Sequence, residues 1–228
     1  MSKIKKYDTI IFDLDGTLLN TLEDLTDSVN YALELYGYPK RTIEEVRKFV
    51  GNGVAKLIAL AVPGGADDPF YEECLEANKK YYAENMNNKT APYRGIINLL
   101  QRLKEDNYKL AVVSNKMDKA VKGLVEEFFG EYVQVAIGET DNVSRKPAPD
   151  TVLKAIEELR SSRDKTVYVG DSEVDVKTAK NSGVKCVGVT WGYRDRDVLE
   201  KEGADFIIDE PMELIKGKRL ILGCLARR

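Results

Sequence analysis

Short apolar runs recur along the chain and are separated by amphipathic stretches. The runs are rich in valine and isoleucine and do not alternate with polar residues, which is typical of strands buried on both faces of a parallel sheet. They lie at residues 9–14, 109–114, 166–171 and 185–190, with weaker runs at 133–138 and 205–209. Residues 96–106 and 148–160, between these runs, carry apolar side chains at helical spacing. Because strands alternate with helices, the pattern predicts a doubly wound, Rossmann-like α/β fold.

One long interval, residues 20–90, contains no buried-strand run. Its apolar residues recur at helical spacing, which predicts helices over residues 53–62 and 68–88 and one that begins near residue 21. Two pairs of residues resemble the capping boxes that begin helices, namely Thr21 with Asp24 and Thr42 with Glu45. We therefore expect an all-helical cap domain at 20–90, inserted after the first strand of an α/β catalytic core formed by residues 1–19 and 91–228.

Composition and charge exclude several classes of protein. The 228 residues are 43% hydrophobic and 32% charged, and the formal net charge is -3, so neither nucleic acid nor an anionic membrane is expected as a partner. No apolar run is long enough to cross a membrane, and the start of the chain lacks the apolar region of a secretory signal. The apolar stretch with basic ends at residues 217–228 could contact a membrane or a partner, but its apolar part is only six residues long, so we expect a final strand or a packed tail.

The cysteine and histidine content excludes several kinds of structural and catalytic site. Cys74, Cys186 and Cys224 lie far apart and form neither a disulfide framework nor a zinc spacing, so we expect a cytoplasmic protein in which Cys186 is packed in the core. The chain has no histidine. Enzymes that need an imidazole, such as those with a Ser-His-Asp triad or an HExxH zinc site, are therefore excluded, and acid–base chemistry falls on other side chains.

Polar side chains follow the predicted strands where each strand ends. The carboxyl ends of parallel strands share one edge of a sheet, which is where ligands bind in open α/β folds. Such residues lie at or just beyond the ends of the strands at 9–14, 109–114 and 166–171, and a lysine lies in the loop after the strand at 133–138: they are Asp13, Asp15, Ser114, Asn115, Lys146, Asp171 and Asp175. We expect these side chains to meet in one site.

A structural explanation exists for each of these residues taken singly. Asp15 could belong only to a turn with Gly16, and Ser114 or Asp171 could belong only to the cap of a helix. Lys146 could be solvated. Taken together, however, acidic groups from two strand ends suit one Mg²⁺, and a lysine with a hydroxyl suits phosphate oxygens. A carboxylate facing that phosphate can act as a nucleophile, and a second carboxylate two residues later can protonate the leaving group.

Four segments resemble the four motifs of the haloacid dehalogenase-like phosphatases. In chain order they are "DLDGTLLNT", "VVSNK", "RKPAPD" and "GDSEVD", and the last third of the chain is similar to the phosphoglycolate phosphatase branch. The helical interval occupies the position of that family's cap. The family often has Asp-Ser where this chain has Asn20 and Thr21, and often has threonine in place of Ser114. Dehalogenases of the superfamily lack the carboxylate of Asp15, so its presence favours phosphate as the substrate group.

The resemblance implies a role for each matched residue. Asp13 is implied to be the nucleophile and a Mg²⁺ ligand, and Asp15 the general acid and base whose backbone carbonyl also binds the metal. The remaining implied roles are phosphoryl binding by Ser114 and Lys146, Mg²⁺ binding by Asp171, orientation of metal-bound water or of Lys146 by Asp175, and a backbone N–H cradle near Gly16 and Asn115. In the segment "VGNGVAK", Asn52 and Lys56 of the cap become candidate substrate contacts.

The sequence thus predicts a Mg²⁺-dependent phosphatase of a small phosphorylated metabolite, with 2-phosphoglycolate as a candidate substrate. A pyrophosphatase, a nucleotide monophosphatase, and a hexose-phosphate phosphatase or mutase stay open. A non-catalytic phosphate-binding or interaction protein is the alternative from a different class. The protein is expected to be a monomer or a homodimer.

Overall fold

The computed structural model describes residues 6–216, and the predicted strand or tail at 217–228 lies outside them. The chain divides into two compact units. The first contains the described residues up to Leu18 and from Pro92 onward, and the second runs from Leu19 to Ala91. Elements are numbered below in chain order.

The first unit is an α/β fold built on one parallel sheet. Its strands are β1 (Thr9–Phe12), β4 (Lys109–Met117), β5 (Val135–Glu139), β6 (Thr166–Gly170), β7 (Lys185–Val189) and β8 (Phe206–Ile208). Its helices are α5 (Ile96–Glu105), α6 (Asp118–Phe129), α7 (Asp150–Glu158), α8 (Glu173–Ser182), α9 (Arg196–Glu202) and α10 (Glu213–Lys216). The predicted doubly wound α/β fold is confirmed.

The strand order, β5-β4-β1-β6-β7-β8, places β1 in the middle of the sheet. The chain first builds outward on one side of β1, through β4 and β5, and then returns to build the other side. Such a reversal opens a crevice at the carboxyl ends of the central strands. Phe12, the last residue of β1, lies opposite Val112 of β4 and Val169 of β6. The residues just beyond these three positions therefore leave the sheet at nearly the same level.

The second unit is mainly helical. It contains α1 (Leu22–Leu35), α2 (Ile43–Phe49), α3 (Gly53–Ala61) and α4 (Tyr71–Asn85), together with the two-residue strand β2 (Leu19–Asn20), which pairs with β3 (Ala91–Pro92). One apolar face of α1 is buried, including Val29, Ala32 and Leu33 at 0% exposure. This face belongs to a hydrophobic core of the unit's own, which also contains Cys74.

One of the two predicted capping boxes is wrong. Thr42 and Glu45 form the predicted reciprocal pair at the start of α2. Thr21 does precede α1, but its side chain makes no capping hydrogen bond there. Asp24 instead accepts the backbone N–H groups of Lys89 and Thr90, at 2.9 and 2.8 Å from Oδ2. The carboxylate satisfies backbone donors from a distant segment, which a local sequence pattern cannot reveal.

Two further sequence expectations concern burial and membranes. Cys186 of β7 is 1% exposed and belongs to a hydrophobic core cluster, as expected, and Cys74 is also a buried free thiol. No helix among residues 6–216 combines the length and the apolar character needed to cross a membrane.

Candidate active site

The backbone of Lys146 is held in place by the side chain of Asn115, near the end of the neighbouring strand β4. Asn115 of β4 donates from Nδ2 to the Lys146 carbonyl oxygen at 3.0 Å and accepts the Lys146 N–H at Oδ1 at 2.8 Å. This two-way contact fixes the loop after β5 against the end of β4. The backbone N–H cradle expected near Asn115 stays a prediction, and the side chain of Asn115 has this separate role.

The Lys146 ammonium group lies among three oxygen atoms. Nζ donates to Asp13 Oδ1 and to Asp175 Oδ1, both at 2.7 Å, and to the hydroxyl of Tyr168 at 3.0 Å. The lysine residue is only 4% exposed, so the alternative of a solvated lysine is wrong. Residues from the end of β1, from the middle of β6 and from α8 thus meet around the ammonium group of a lysine that lies in the loop after β5.

Asp13 presents one carboxylate oxygen to Lys146 and keeps the other open. Its backbone N–H donates to the carbonyl of Val169 in β6 at 2.9 Å, which continues the β1–β6 ladder by one residue and fixes the aspartate. Among the described residues, none donates a hydrogen bond to Oδ2. An oriented carboxylate with one uncommitted oxygen has the arrangement that a nucleophile requires.

Asp175 is fully committed to protein partners. Its Oδ1 accepts from Lys146 and, at 2.9 Å, from Tyr168, and its Oδ2 accepts the backbone N–H and the hydroxyl of Ser172. Ser172 and Asp175 also form the capping box of α8. The structural explanation of this motif as a helix start therefore holds, but the same carboxylate reaches the lysine as well.

Asp171 is fixed from both sides. Oδ1 accepts from the hydroxyl of Thr17 at 3.2 Å, and Oδ2 accepts from the backbone N–H of Tyr193 at 2.7 Å. Gly192 allows this approach, because a Cβ atom there would lie 2.3 Å from the Cβ of Asp171. The loop after β7 is tied to the first motif a second time, since the indole N–H of Trp191 donates to the Thr17 carbonyl at 3.0 Å.

Position 16 requires glycine both because of its backbone conformation and because of the short distance to Asp171. Its φ of +85° lies in the left-handed region, and a Cβ atom would lie 2.5 Å from Asp171 Oδ2. The turn after Asp15 is therefore real, but it also brings the backbone against Asp171. The proposed backbone cradle at Gly16 stays a prediction.

Asp15 forms an ion pair that the sequence analysis missed. Lys116 Nζ lies 2.7 Å from Asp15 Oδ1, and the two side chains are 8% and 13% exposed. The hydroxyl of Ser114 lies 3.4 Å from Asp15 Oδ2 and accepts the backbone N–H of Lys116 at 3.2 Å. Strand β4 continues to Met117, so Ser114 does not cap a helix, and its neighbour on the sheet edge is the proposed acid–base residue.

Burial and mutual repulsion shift the pKa values of these carboxyl groups. Burial, and then repulsion by Asp175, raises the pKa of Asp171 to about 7, although the Tyr193 N–H opposes the shift. Burial also raises the pKa of Asp13 above its ordinary value despite Lys146. Burial would raise the pKa of Asp175 as well, but the adjacent ammonium group and its hydrogen bonds hold it below the ordinary value.

The donor set fits a divalent cation. Carboxylate oxygens of Asp13, Asp171 and Asp175 lie within 4.8 Å of one another and are buried. Lys146 pairs with Asp13 and Asp175, and Lys116 pairs with Asp15, so these two ammonium groups do not balance the four carboxylates when all are ionised. Oxygen donors with this excess charge are what Mg²⁺ binds. Because Asp175 is saturated by hydrogen bonds, Asp13 and Asp171 are the carboxylates available to it.

The two candidate cap residues lie elsewhere in the chain. Asn52 precedes α3, and Lys56 lies within that helix. Their predicted contact with substrate stays a prediction. Tyr168, Lys116 and the backbone of Tyr193 are site components that the sequence analysis missed. Lys116 was part of the motif "VVSNK", but Tyr168 reads only as one apolar position of a buried strand.

Comparison with known proteins gives consistent matches. Residues 10–189 match the family model described as "Haloacid dehalogenase-like hydrolase". A phosphoglycolate phosphatase from Aquifex aeolicus is 33% identical over 208 residues, covering 91% of this chain and 94% of that protein. A "Putative pyrophosphatase PpaX" from Caldanaerobacter subterraneus is 33% identical over 220 residues, covering 96% of both chains.

A solved structure is also similar over most of the chain. The crystal structure of a "putative phosphoglycolate phosphatase" from Lactobacillus delbrueckii superposes with a TM-score of 0.87 at 38% sequence identity. The match covers 92% of this chain and 97% of that one.

The raised pKa of Asp171 leads to a prediction about stability without metal. The carboxyl group keeps its proton up to about pH 7 in the folded protein but loses it near 3.8 when unfolded. The folded state therefore binds more protons between these values, and its free energy of unfolding falls as pH rises from about 4 to about 7. Asp171→Asn removes this effect. In EDTA the variant should be more stable than the wild type at pH 8, and the difference should shrink toward pH 5.

Urea unfolding followed by circular dichroism at several pH values measures this difference. Asp141, an exposed residue in a turn, provides the matched control, since Asp141→Asn should leave the pH profile unchanged. If Asp171→Asn is less stable than the wild type at pH 8, the hydrogen bonds from Thr17 and Tyr193 outweigh the repulsion, and the interpretation is wrong.

Proposed function

Because the chain belongs to the haloacid dehalogenase-like hydrolases, we propose that it uses Mg²⁺ and a phosphorylated Asp13 to hydrolyse a small phosphomonoester, with 2-phosphoglycolate as the first substrate to test. As a member of this family with phosphoglycolate phosphatases among its relatives, the chain is a phosphatase. The proposal concerns the metal, the covalent intermediate and the substrate.

The observation that carries the proposal is the contact between Lys146 and Asp13. The ammonium group occupies Oδ1 at 2.7 Å, and no described residue donates to Oδ2. The carboxylate is thereby aimed by one oxygen and left reactive at the other. The full set of carboxylates, hydroxyl and ammonium groups argues against a binding protein without catalytic activity, because binding phosphate alone does not require a buried nucleophile.

In the first step, Asp13 Oδ2 attacks phosphorus, and the bond from phosphorus to the leaving oxygen breaks. Asp15 gives its proton to that oxygen, so the product leaves as an alcohol. The Lys146 ammonium group and the Ser114 hydroxyl stabilise charge on the phosphoryl oxygens. Bound Mg²⁺, held by Asp13, Asp171 and the Asp15 carbonyl, would supply further positive charge there.

In the second step, Asp15 acts in the opposite direction. Now ionised, it takes a proton from water, and the resulting hydroxide attacks the phosphorus of the acyl-phosphate on Asp13. The bond from phosphorus to the carboxylate oxygen breaks, which releases inorganic phosphate and restores both aspartates. The Lys116 ammonium group, 2.7 Å from Asp15 Oδ1, holds the Asp15 side chain in place for this step.

The substrate proposal rests on the relatives. Phosphoglycolate phosphatases are frequent among them, and a protein named as a pyrophosphatase matches over the same span. The proposed site residues act on the phosphoryl group and the metal, which these substrates have in common, so they do not decide between the substrates. A panel of 2-phosphoglycolate, pyrophosphate, a nucleoside monophosphate and a hexose phosphate, compared by kcat/KM, decides between them.

We expect phosphate release to require a divalent cation. Without one, the excess negative charge around Asp13 repels the phosphoryl dianion. EDTA should abolish release of phosphate from 2-phosphoglycolate, Mg²⁺ should restore it, and Ca²⁺ should support it poorly because of its looser coordination geometry. Circular dichroism in EDTA controls for unfolding. Full activity in EDTA would contradict the metal assignment.

Asp13→Asn should eliminate turnover. The substitution keeps the shape of the side chain and removes the nucleophilic charge, so neither free phosphate nor an acid-labile phosphoenzyme should form. Asp141→Asn serves again as the control and should behave as the wild type does. Near-normal turnover by Asp13→Asn would show that another group is the nucleophile.

Asp15→Asn should affect substrates according to their leaving group. An alkoxide needs a proton, so phosphoenzyme formation from 2-phosphoglycolate should slow by about 10²- to 10⁴-fold. Nitrophenolate leaves as an anion, so the substitution should slow phosphoenzyme formation from p-nitrophenyl phosphate far less. The acyl-phosphate should then persist, which gives a burst of nitrophenolate followed by slow turnover in a rapid-mixing time course. Equal slowing with both leaving groups would mean that Asp15 is not the acid.

A further inference from the structure

Tyr168 is a buried tyrosine whose hydroxyl reaches the site from below. It lies in the middle of β6 and is 0% exposed. Its ring belongs to the hydrophobic cluster that α7 and α8 form with the sheet, together with Val152, Val176 and Cys186. A phenylalanine would fill the same space, so packing alone does not account for the hydroxyl.

The hydroxyl joins two charged groups of the site. It accepts a hydrogen bond from Lys146 Nζ at 3.0 Å and donates one to Asp175 Oδ1 at 2.9 Å. Lys146 also donates directly to the same Asp175 oxygen. The three side chains therefore form a closed triangle, in which moving the ammonium group strains two contacts at once.

The Tyr168 hydroxyl accepts the third of the three N–H donors of the Lys146 ammonium group. A lysine ammonium group has three N–H donors, and here they meet Asp13 Oδ1, Asp175 Oδ1 and the Tyr168 hydroxyl. Two carboxylates alone leave the ammonium group free to rotate and to shift toward either one. The third contact, with the Tyr168 hydroxyl, fixes the position of the ammonium group relative to both carboxylates, one of which is Asp13.

We propose that Tyr168 is a positioning residue: its hydroxyl anchors the Lys146 ammonium group between Asp13 and Asp175 and so aims the nucleophilic carboxylate. Its consequence for turnover rests on the proposed function, whereas the anchoring does not. Tyr168 does not reach the reacting atoms; it acts through Lys146. The interaction prepares the site before substrate arrives, which is the condition under which charged groups stabilise a transition state most effectively.

Tyr168→Phe tests the proposal, because it removes one oxygen and keeps the buried ring. A nucleophile that is less well aimed should lower kcat by about 10- to 100-fold. KM should change by no more than about twofold, since groups that bind the rest of the substrate are untouched. Tyr108→Phe is the matched control: Tyr108 is also buried, but it precedes β4 at the opposite edge of the sheet. Loss of the Tyr108 hydroxyl should leave kcat unchanged.

A second measurement is independent of activity. Nitrogen-15 spectra of lysine ammonium groups should show a slowly exchanging signal for Lys146, assigned by its loss in Lys146→Arg. The signal should persist in Tyr108→Phe and should broaden or vanish in Tyr168→Phe. An unchanged signal and an unchanged kcat in Tyr168→Phe would overturn the proposal.

The two measurements separate this proposal from the proposed function. If the wild type releases no phosphate from any substrate of the panel, the proposed function fails, and the spectra alone decide whether Tyr168 anchors Lys146. If the wild type is active and only Tyr168→Phe is indistinguishable from it in both measurements, the proposed function stands and the role of Tyr168 is wrong.

Discussion

The site depends on the ion pairs that the buried ammonium group of Lys146 forms with Asp13 and Asp175. This ammonium group is the positive charge that lies between Asp13 and Asp175, at 2.7 Å from each. A buried ion pair is costly unless its remaining hydrogen-bonding capacity is satisfied. Here that condition is met by Tyr168 for the lysine and by Ser172 for Asp175. The arrangement therefore makes several elements mutually dependent: β1, β6, α8 and the loop that carries the lysine.

Backbone conformation and space are also tightly restricted around Asp171. Gly16 and Gly192 both bring backbone so close to its carboxylate that a Cβ atom would collide with it. Asp171 thus lies buried beside other carboxylates, and burial, followed by repulsion from Asp175, raises its pKa to about 7. The fold maintains these buried, mutually repelling carboxylates at a cost in stability, and the proposed Mg²⁺ would offset that cost.

Much of the fold was predictable because its determinants are local. The six apolar runs each match a strand to within about two residues at either end, apart from β4, which continues to Met117. Uninterrupted valine and isoleucine runs identify buried parallel strands without knowledge of their partners. The one capping box that failed shows the limit of such reasoning. Thr42 and Glu45 form hydrogen bonds with each other, which a local pattern can predict. Asp24 instead accepts hydrogen bonds from backbone N–H groups of a segment 65 residues away.

The sequence by itself determined which polar residues leave the sheet at its carboxyl edge, because strand ends and motif spacing are properties of neighbouring residues. The structure brings Asp13, Asp171, Asp175 and Lys146 together at that edge. Only the tertiary structure decided which atom contacts which: that Asn115 clamps the Lys146 backbone, that Lys116 pairs with Asp15, and that an apparently apolar Tyr168 offers its hydroxyl to the lysine. Hydrogen bonds depend on distances of a few tenths of an ångström, and those distances are set by how the helices pack on the sheet rather than by any local pattern.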